Sequence, residues 1–180
     1  TSTGPVRAVD YDADGDLDLV VGGRSVPGGY PRAPRSYLLQ NNGGKFSDVT
    51  ASAIPELANI GMVTSIAVGD IEGDNRPEIV VAGEWMALTI FTAGDNGYAR
   101  SGNSPTGTSG NWQSLLIVDL SGDGQNEIVA GNEGSNSRFK PSPERPVRLY
   151  ADDFDDNGMV DPILTVADEN GRMVPMTTKA

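Results

Sequence analysis

Four segments of the chain repeat one pattern: "DYDADGDLD" (Asp10 to Asp18), "DIEGDNRPE" (Asp70 to Glu78), "DLSGDGQNE" (Asp119 to Glu127) and "DFDDNGMVD" (Asp153 to Asp161). Self-similarity of this kind constrains a fold more than any other sequence feature, because each repeat must be the same structural unit. Position 1 is Asp10, Asp70, Asp119 and Asp153, and position 3 is Asp12, Glu72, Ser121 and Asp155. Position 5 is Asp14, Asp74, Asp123 and Asn157, and position 9 is Asp18, Glu78, Glu127 and Asp161. Position 6 is Gly15, Asn75, Gly124 and Gly158, the residue types that best tolerate a left-handed backbone.

Hard oxygen ligands at every second residue around a tight turn are what a calcium loop needs. Calcium takes about 6–8 oxygens from carboxylates, carbonyls and water. Position 7 would supply a backbone carbonyl, which is why it varies freely among Asp16, Arg76, Gln125 and Met159. These twenty positions are the expected metal ligands, in up to four Ca2+ sites. The EF-hand loop begins in the same way but requires a bidentate Glu at position 12. Position 12 is Val21, Val81, Ala130 and Leu164, so that reading fails four times.

The loops run on into "LVVGG", "IVVAG", "IVAGN" and "ILTVA", and they are preceded by "VRAV", "TSIAV", "SLLIV" and "VRLYA". Short β-branched runs on both sides of a turn read as two strands joined at the loop. The segments "SYLLQNNGGKFSDVT" and "LTIFTAGDNGYARS" each add a further strand, turn and strand. The unit is therefore four strands, repeating at loop-to-loop spacings of 60, 49 and 34 residues. Four-stranded units at such periods point to the blades of a propeller. The third spacing is too short for a full blade, and "NEGSNSRFKPSPER" stands where its outer hairpin would be.

The loops, the hydrophobic run and the trailing Gly resemble the FG-GAP or VCBS repeats of integrin-like β-propellers. The linking segments are similar to those of exported bacterial proteins that carry an ASPIC/UnbV region. The resemblance implies an all-β chain, a partial β-propeller of FG-GAP/VCBS-like blades with a calcium loop between the first and second strand of each. The blade units would fall at about 5–50, 62–101, 112–145 and 146–180, with "DENGRM" as a turn in the last. Rings of this kind close with about 7 or 8 blades, so the chain is expected to be part of a larger ring and a piece of a longer protein. Its remaining blades would come from the same or another chain.

Composition narrows the function. Cysteine and histidine are both absent, which removes disulfides, thiolate and imidazole metal sites, and Ser-His-Asp or Cys-His catalysis. The net charge of -12 arises from the loops and argues against a nucleic-acid partner. No apolar run of about 18 residues is present, so no membrane span is expected. Paired carboxylates can hydrolyse glycosides, but a catalytic pair is not repeated four times. The expected role is non-catalytic binding or scaffolding, secreted or at a cell surface, where calcium is abundant. The alternative is part of a calcium-dependent polysaccharide lyase or another carbohydrate-active enzyme. The "GGRSVPGG" stretch lacks the Lys-Ser/Thr ending of a phosphate loop and reads as a plain Gly/Pro loop.

Strand direction also locates a partner surface. Segments that come after the second strand must lie at the end away from the metal loops. They contain Tyr30, Arg32, Arg35, Trp85, Arg138 and Phe139, types enriched at binding hot spots. A protein or glycan partner is expected on that face.

Overall fold

The structure is a computed structural model that describes residues 2–95 and 97–176. It is all-β apart from short helical turns. The first unit contains β1 (Ser2–Val9), β2 (Asp18–Ser25), β3 (Tyr37–Asn42) and β4 (Lys45–Asp48), hydrogen-bonded antiparallel in that order. The second contains β5 (Met62–Gly69), β6 (Glu78–Met86), β7 (Thr89–Gly94) and β8 (Gly97–Arg100). The third has β9 (Gly110–Val118) and β10 (Glu127–Asn132), and the fourth has β11 (Val147–Asp152), β12 (Asp161–Ala167) and β13 (Met173–Pro175). Residues 177–180 of the expected fourth unit, and Asn96 in the turn between β7 and β8, lie outside the described residues.

The four loop hairpins share one register. Val9 pairs with Asp18, Gly69 with Glu78, Val118 with Glu127 and Asp152 with Asp161, so position 9 always opposes the residue just before position 1. The hydrogen bonding gathers the four units into three sheets. Two further pairs, Glu84 with Asn111 and Met86 with Gly110, join β9 to β6. No closed ring forms among the described residues.

β6 explains how the units stack. Side chains alternate faces along a strand, and on β6 both faces are buried. Ile79 and Val81 point to the first unit, where they join Val9, Val20, Leu38, Val63, Ile66 and Phe91 in one core cluster. Val80 and Ala82 point to the third unit and pack with Leu88 and Ile90 against Leu115, Ile117, Ile128 and Ala130. A strand covered on both sides cannot show polar alternation, hence the unbroken apolar run after the loop. Trp112 is half-buried against the second cluster.

Between the first two units the chain forms a one-turn helix α1 (Thr50–Ala53) and a 3-10 turn (Pro55–Asn59). Ile54 and Leu57 are fully buried there and plug the gap beside β3. Thr50 fastens the segment: its Oγ1 accepts from the Leu38 amide at 2.9 Å and donates to Asp48. That hydrogen bond is the main cause of the lowered pKa of Asp48. Among the described residues no third or fourth strand follows β10 in its unit. After β10 the chain makes a 3-10 turn (Gly134–Asn136) and an irregular segment before β11.

Candidate metal centre

Each loop is closed by its own acidic side chains, and the same positions do the same work. The position 1 carboxylate accepts amides across the turn: Gly15 on Asp10; Gly73, Asp74 and Asn75 on Asp70; Gly122, Asp123 and Gly124 on Asp119; Asn157 and Gly158 on Asp153. The position 5 oxygen accepts the position 7 amide in every copy, at 2.8–2.9 Å: Asp16 on Asp14, Arg76 on Asp74, Gln125 on Asp123 and Met159 on Asn157. The position 9 carboxylate accepts the position 2 amide in every copy, from Tyr11, Ile71, Leu120 and Phe154. The position 2 contact was not legible in the sequence, since any residue has an amide to give.

Backbone conformation repeats as closely. Position 6 is left-handed in all four loops, with φ of 93° at Gly15, 64° at Asn75, 89° at Gly124 and 83° at Gly158. Position 4 is left-handed too: Ala13 at 59°, Gly73 at 75°, Gly122 at 76° and Asp156 at 58°. Nothing in the sequence signals this at Ala13, because a residue with a Cβ rarely adopts it.

Three loops bring three carboxylates together: Asp10, Asp12 and Asp18; Asp119, Asp123 and Glu127; and Asp153, Asp155 and Asp161. In each trio one oxygen per residue lies within 4.8 Å of the others. Two ligands at about 2.3–2.6 Å from one calcium can be at most about 5 Å apart, so the spacing suits a shared ion. Asp10 adds a sharper test. Its Oδ1 is buried and has no hydrogen-bond partner. Burying an unpaired carboxylate oxygen is costly, and a bound cation relieves it.

The second loop differs. Among the described residues, Asp70, Glu72, Asp74 and Glu78 form no such trio. Glu72 is turned outward to Asn103, whose Nδ2 lies 3.4 Å from its Oε1. Arg76 brings a fixed positive charge to position 7 and donates to the Gly94 carbonyl at 2.9 Å. Glu78 is almost fully buried, and burial raises its pKa first of all.

The first loop is the best supported. Gln40 donates to Asp12, the Asn41 amide to Asp18 at 2.8 Å, and the Gly43 amide to Asp16 at 3.0 Å. The side chain of Asp16 therefore caps the turn between β3 and β4 and is not free to face the trio. Among the described residues the third loop has no outer hairpin, and instead Asn126 ties it to the second by donating to the Asp70 carbonyl at 2.7 Å. Ser121 donates to Glu127 Oε1 at 3.1 Å, so it orients that carboxylate.

Tyr98 sits between the first two loops, buried, and donates to the Pro77 carbonyl at 2.7 Å. Burial, with Glu78 next, pushes its phenol up to about 12. Above its ordinary pKa of about 10 the folded state then holds a proton that the unfolded state has lost, so stability falls as pH rises from about 10 towards 12. Tyr98→Phe is expected to flatten that alkaline slope while losing about 1 kcal/mol at neutral pH. Urea unfolding at pH 8 and pH 11 checks both; an unchanged slope would remove Tyr98 as its cause.

At the opposite end, Trp85 Nε1 donates to the Tyr30 hydroxyl at 2.9 Å; Trp85 lies at the end of strand β6 and not in a segment after it, so the bond ties the end of β6 to the segment after β2. Trp85 is held left-handed at φ 60°, a strained conformation for a bulky residue. Trp85, Pro31, Met62, Arg148, Leu149 and Tyr150 line an open cleft of about 430 Å³. Arg32 is exposed, whereas Arg35 is engaged by Asp48 at 2.9 Å and lies over the Tyr37 ring. Arg138 lies over the Phe139 ring at 4.8 Å, and among the described residues no hydrogen bond or ion pair joins this pair to Tyr30 or Trp85. Of the six expected residues, hydrogen bonding joins Tyr30 to Trp85, and the Arg138 guanidinium covers Phe139.

The antiparallel sheets and the four-times repeated acidic loop define a β-repeat protein. Residues 10–81 and 73–130 match the model of the FG-GAP-like repeat, and the chain belongs to that family. No curated protein matches the chain.

Proposed function

We propose that the chain is a calcium-stabilised segment of an FG-GAP propeller that works outside the cytoplasm as a non-catalytic binding or scaffolding module. The observation that supports this best is the buried, unpartnered Oδ1 of Asp10 within the first carboxylate trio. Asp10, Asp12 and Asp18 would hold one ion, Asp119, Asp123 and Glu127 a second, and Asp153, Asp155 and Asp161 a third. Position 7 carbonyls and water would complete each shell. The bound ion supplies charge neutralisation that locks the hairpin tip; it has no part in a reaction. Sites of this exposed kind stay filled where free calcium is millimolar, which favours a secreted or cell-surface setting. No described helix is long and apolar enough to cross a membrane.

The partner, a protein or glycan, would dock at the end away from the ions, around Tyr30, Arg32, Trp85 and the adjoining cleft. Further blades of the ring would pack on the outer units.

Mass spectrometry under native conditions tests the reading. Three calcium ions per chain are expected, one for each trio. Asp119→Asn should remove one ion and Asp70→Asn none. A chain that binds no calcium would overturn the proposal, and loss of an ion in Asp70→Asn would restore the second loop as a site. Turnover of an acidic polysaccharide would replace the binding role with the lyase alternative.

A further inference from the structure

In the first two units the second strand is covered along its outer edge by a third. Val20 lies between Arg7 and Leu38, and Val80 between Ala67 and Ile90. The neighbouring rows match: Ala8, Leu19 and Leu39 beside Val68, Ile79 and Phe91. In the third unit both rows stop one residue short. Leu116 pairs with Val129 and Ile117 with Ile128, and nothing pairs on the far side of β10 among the described residues. The gap is internal to the chain. The segment after β10 turns away through Glu133, whose amide donates to the Asn111 carbonyl, and is then held by its own turns at Ser137–Lys140 and Ser142–Arg145.

This edge is also unguarded. Exposed strand edges are normally blunted by charge, proline or a bulge, because a row of unpaired amides and carbonyls recruits other strands. The edge strand β4 carries Lys45 and Asp48, β8 carries Arg100, and β1 carries Pro5 and Arg7. The interior of β10 is Ile128, Val129, Ala130 and Gly131, with no charge and no proline, and the register shift of its pairing with β9 falls beyond them, between Gly131 and Asn132. Leu116 and Val129 are 56% and 42% exposed, an apolar pair that a third residue would extend.

We propose that the free edge of β10 takes up an extended strand donated by another polypeptide, completing the third unit by strand addition. The sister units specify the occupant. It enters antiparallel, with Tyr or Thr opposite Ala130, Leu or Ile opposite Val129, and Leu or Phe opposite Ile128, as "YLL" and "TIF" do on β2 and β6. Backbone hydrogen bonds supply the affinity and the apolar triplet the selectivity. The proposal is independent of metal binding.

A synthetic peptide with the sequence SYLLQNN, that of residues 36–42, serves as the probe against the whole chain. Saturable binding is expected, with hydrogen-exchange protection gained at residues 127–132. Val129→Lys, at an exposed position, should weaken binding about tenfold or more while leaving the melting temperature unchanged. A peptide with Leu39→Pro leaves the protein untouched and should bind no better than a scrambled sequence: the residue opposite Val129 points its amide away from the edge, as Leu38 does toward Thr50, whereas the amide at Leu39 faces the second strand, and proline cannot donate to the ladder. No binding at millimolar peptide, protection gained elsewhere, or equal binding by the proline peptide would each overturn the proposal.

Discussion

Removing calcium is expected to lower the melting temperature of this chain by roughly 15–30 °C. One site filled at about 100 times its dissociation constant adds about 2.7 kcal/mol to the folded state, so three independent sites add about 8 kcal/mol. For a chain of this size each kcal/mol is worth about 2–4 °C. The trios explain why the dependence should be steep. Without a cation, three carboxylates within 4.8 Å repel one another at the tip of a hairpin. The sites should not contribute equally. The first loop is held by Gln40, Asn41 and Gly43, so its ligands are ordered before the ion arrives. Asp10→Asn should therefore cost the most, at about 2–3 kcal/mol in calcium and far less in chelator. Ser121→Ala should cost under about 1 kcal/mol, since it removes one hydrogen bond to the Glu127 carboxylate. Calorimetry in millimolar calcium and in chelator measures both. Coincident melting curves would mean that the loop hydrogen bonds alone hold the fold.

A feature was legible in the sequence only where it acts through the identity of a side chain. The loops could be read because four position patterns agree, and the hairpin register comes with them. The left-handed turn at position 6 could be read because Gly and Asn signal it. Position 4 could not, because Ala13 and Asp156 are held left-handed by the surrounding amide-to-carboxylate bonds. The helical turns at 50–59 escape notice for a related reason. Short polar and apolar residues there show no period, and Ile54 and Leu57 are placed by the gap they fill. Nor does the sequence separate the second loop from its sisters. Asp70, Asp74 and Glu78 occupy the positions that form the trio of the third loop, yet among the described residues they form none, and no residue type marks the difference. The alternation of core faces on β6 was also hidden, because a strand buried on both sides carries no polar marks.

The same stacking makes Phe91→Ala the most damaging core substitution. Phe91 is fully buried, pairs with Ile79 across β6 and β7, and lies in the cluster shared by the first two units. Truncation removes its transfer energy and leaves a cavity that rigid sheets cannot close, a loss of about 3–5 kcal/mol. Leu116→Ala removes an aliphatic side chain of a residue more than half exposed and should change stability by about 0.5 kcal/mol or less. The contrast reaches the metal loops. Val9, next to Asp10, lies in the Phe91 cluster, and Tyr11, whose amide donates to Asp18, packs against it. The fourth loop rises from β11 and β12, whose residues take no part in that cluster. Phe91→Ala should thus weaken calcium at the Asp10 trio and leave the Asp153 trio unchanged. Urea unfolding in calcium gives the stability, and ion titration of Phe91→Ala in an Asp119→Asn background resolves the two remaining sites. If Phe91→Ala costs no more than Leu116→Ala, the first two units do not share a core; if it weakens both sites equally, that core does not act through the first loop.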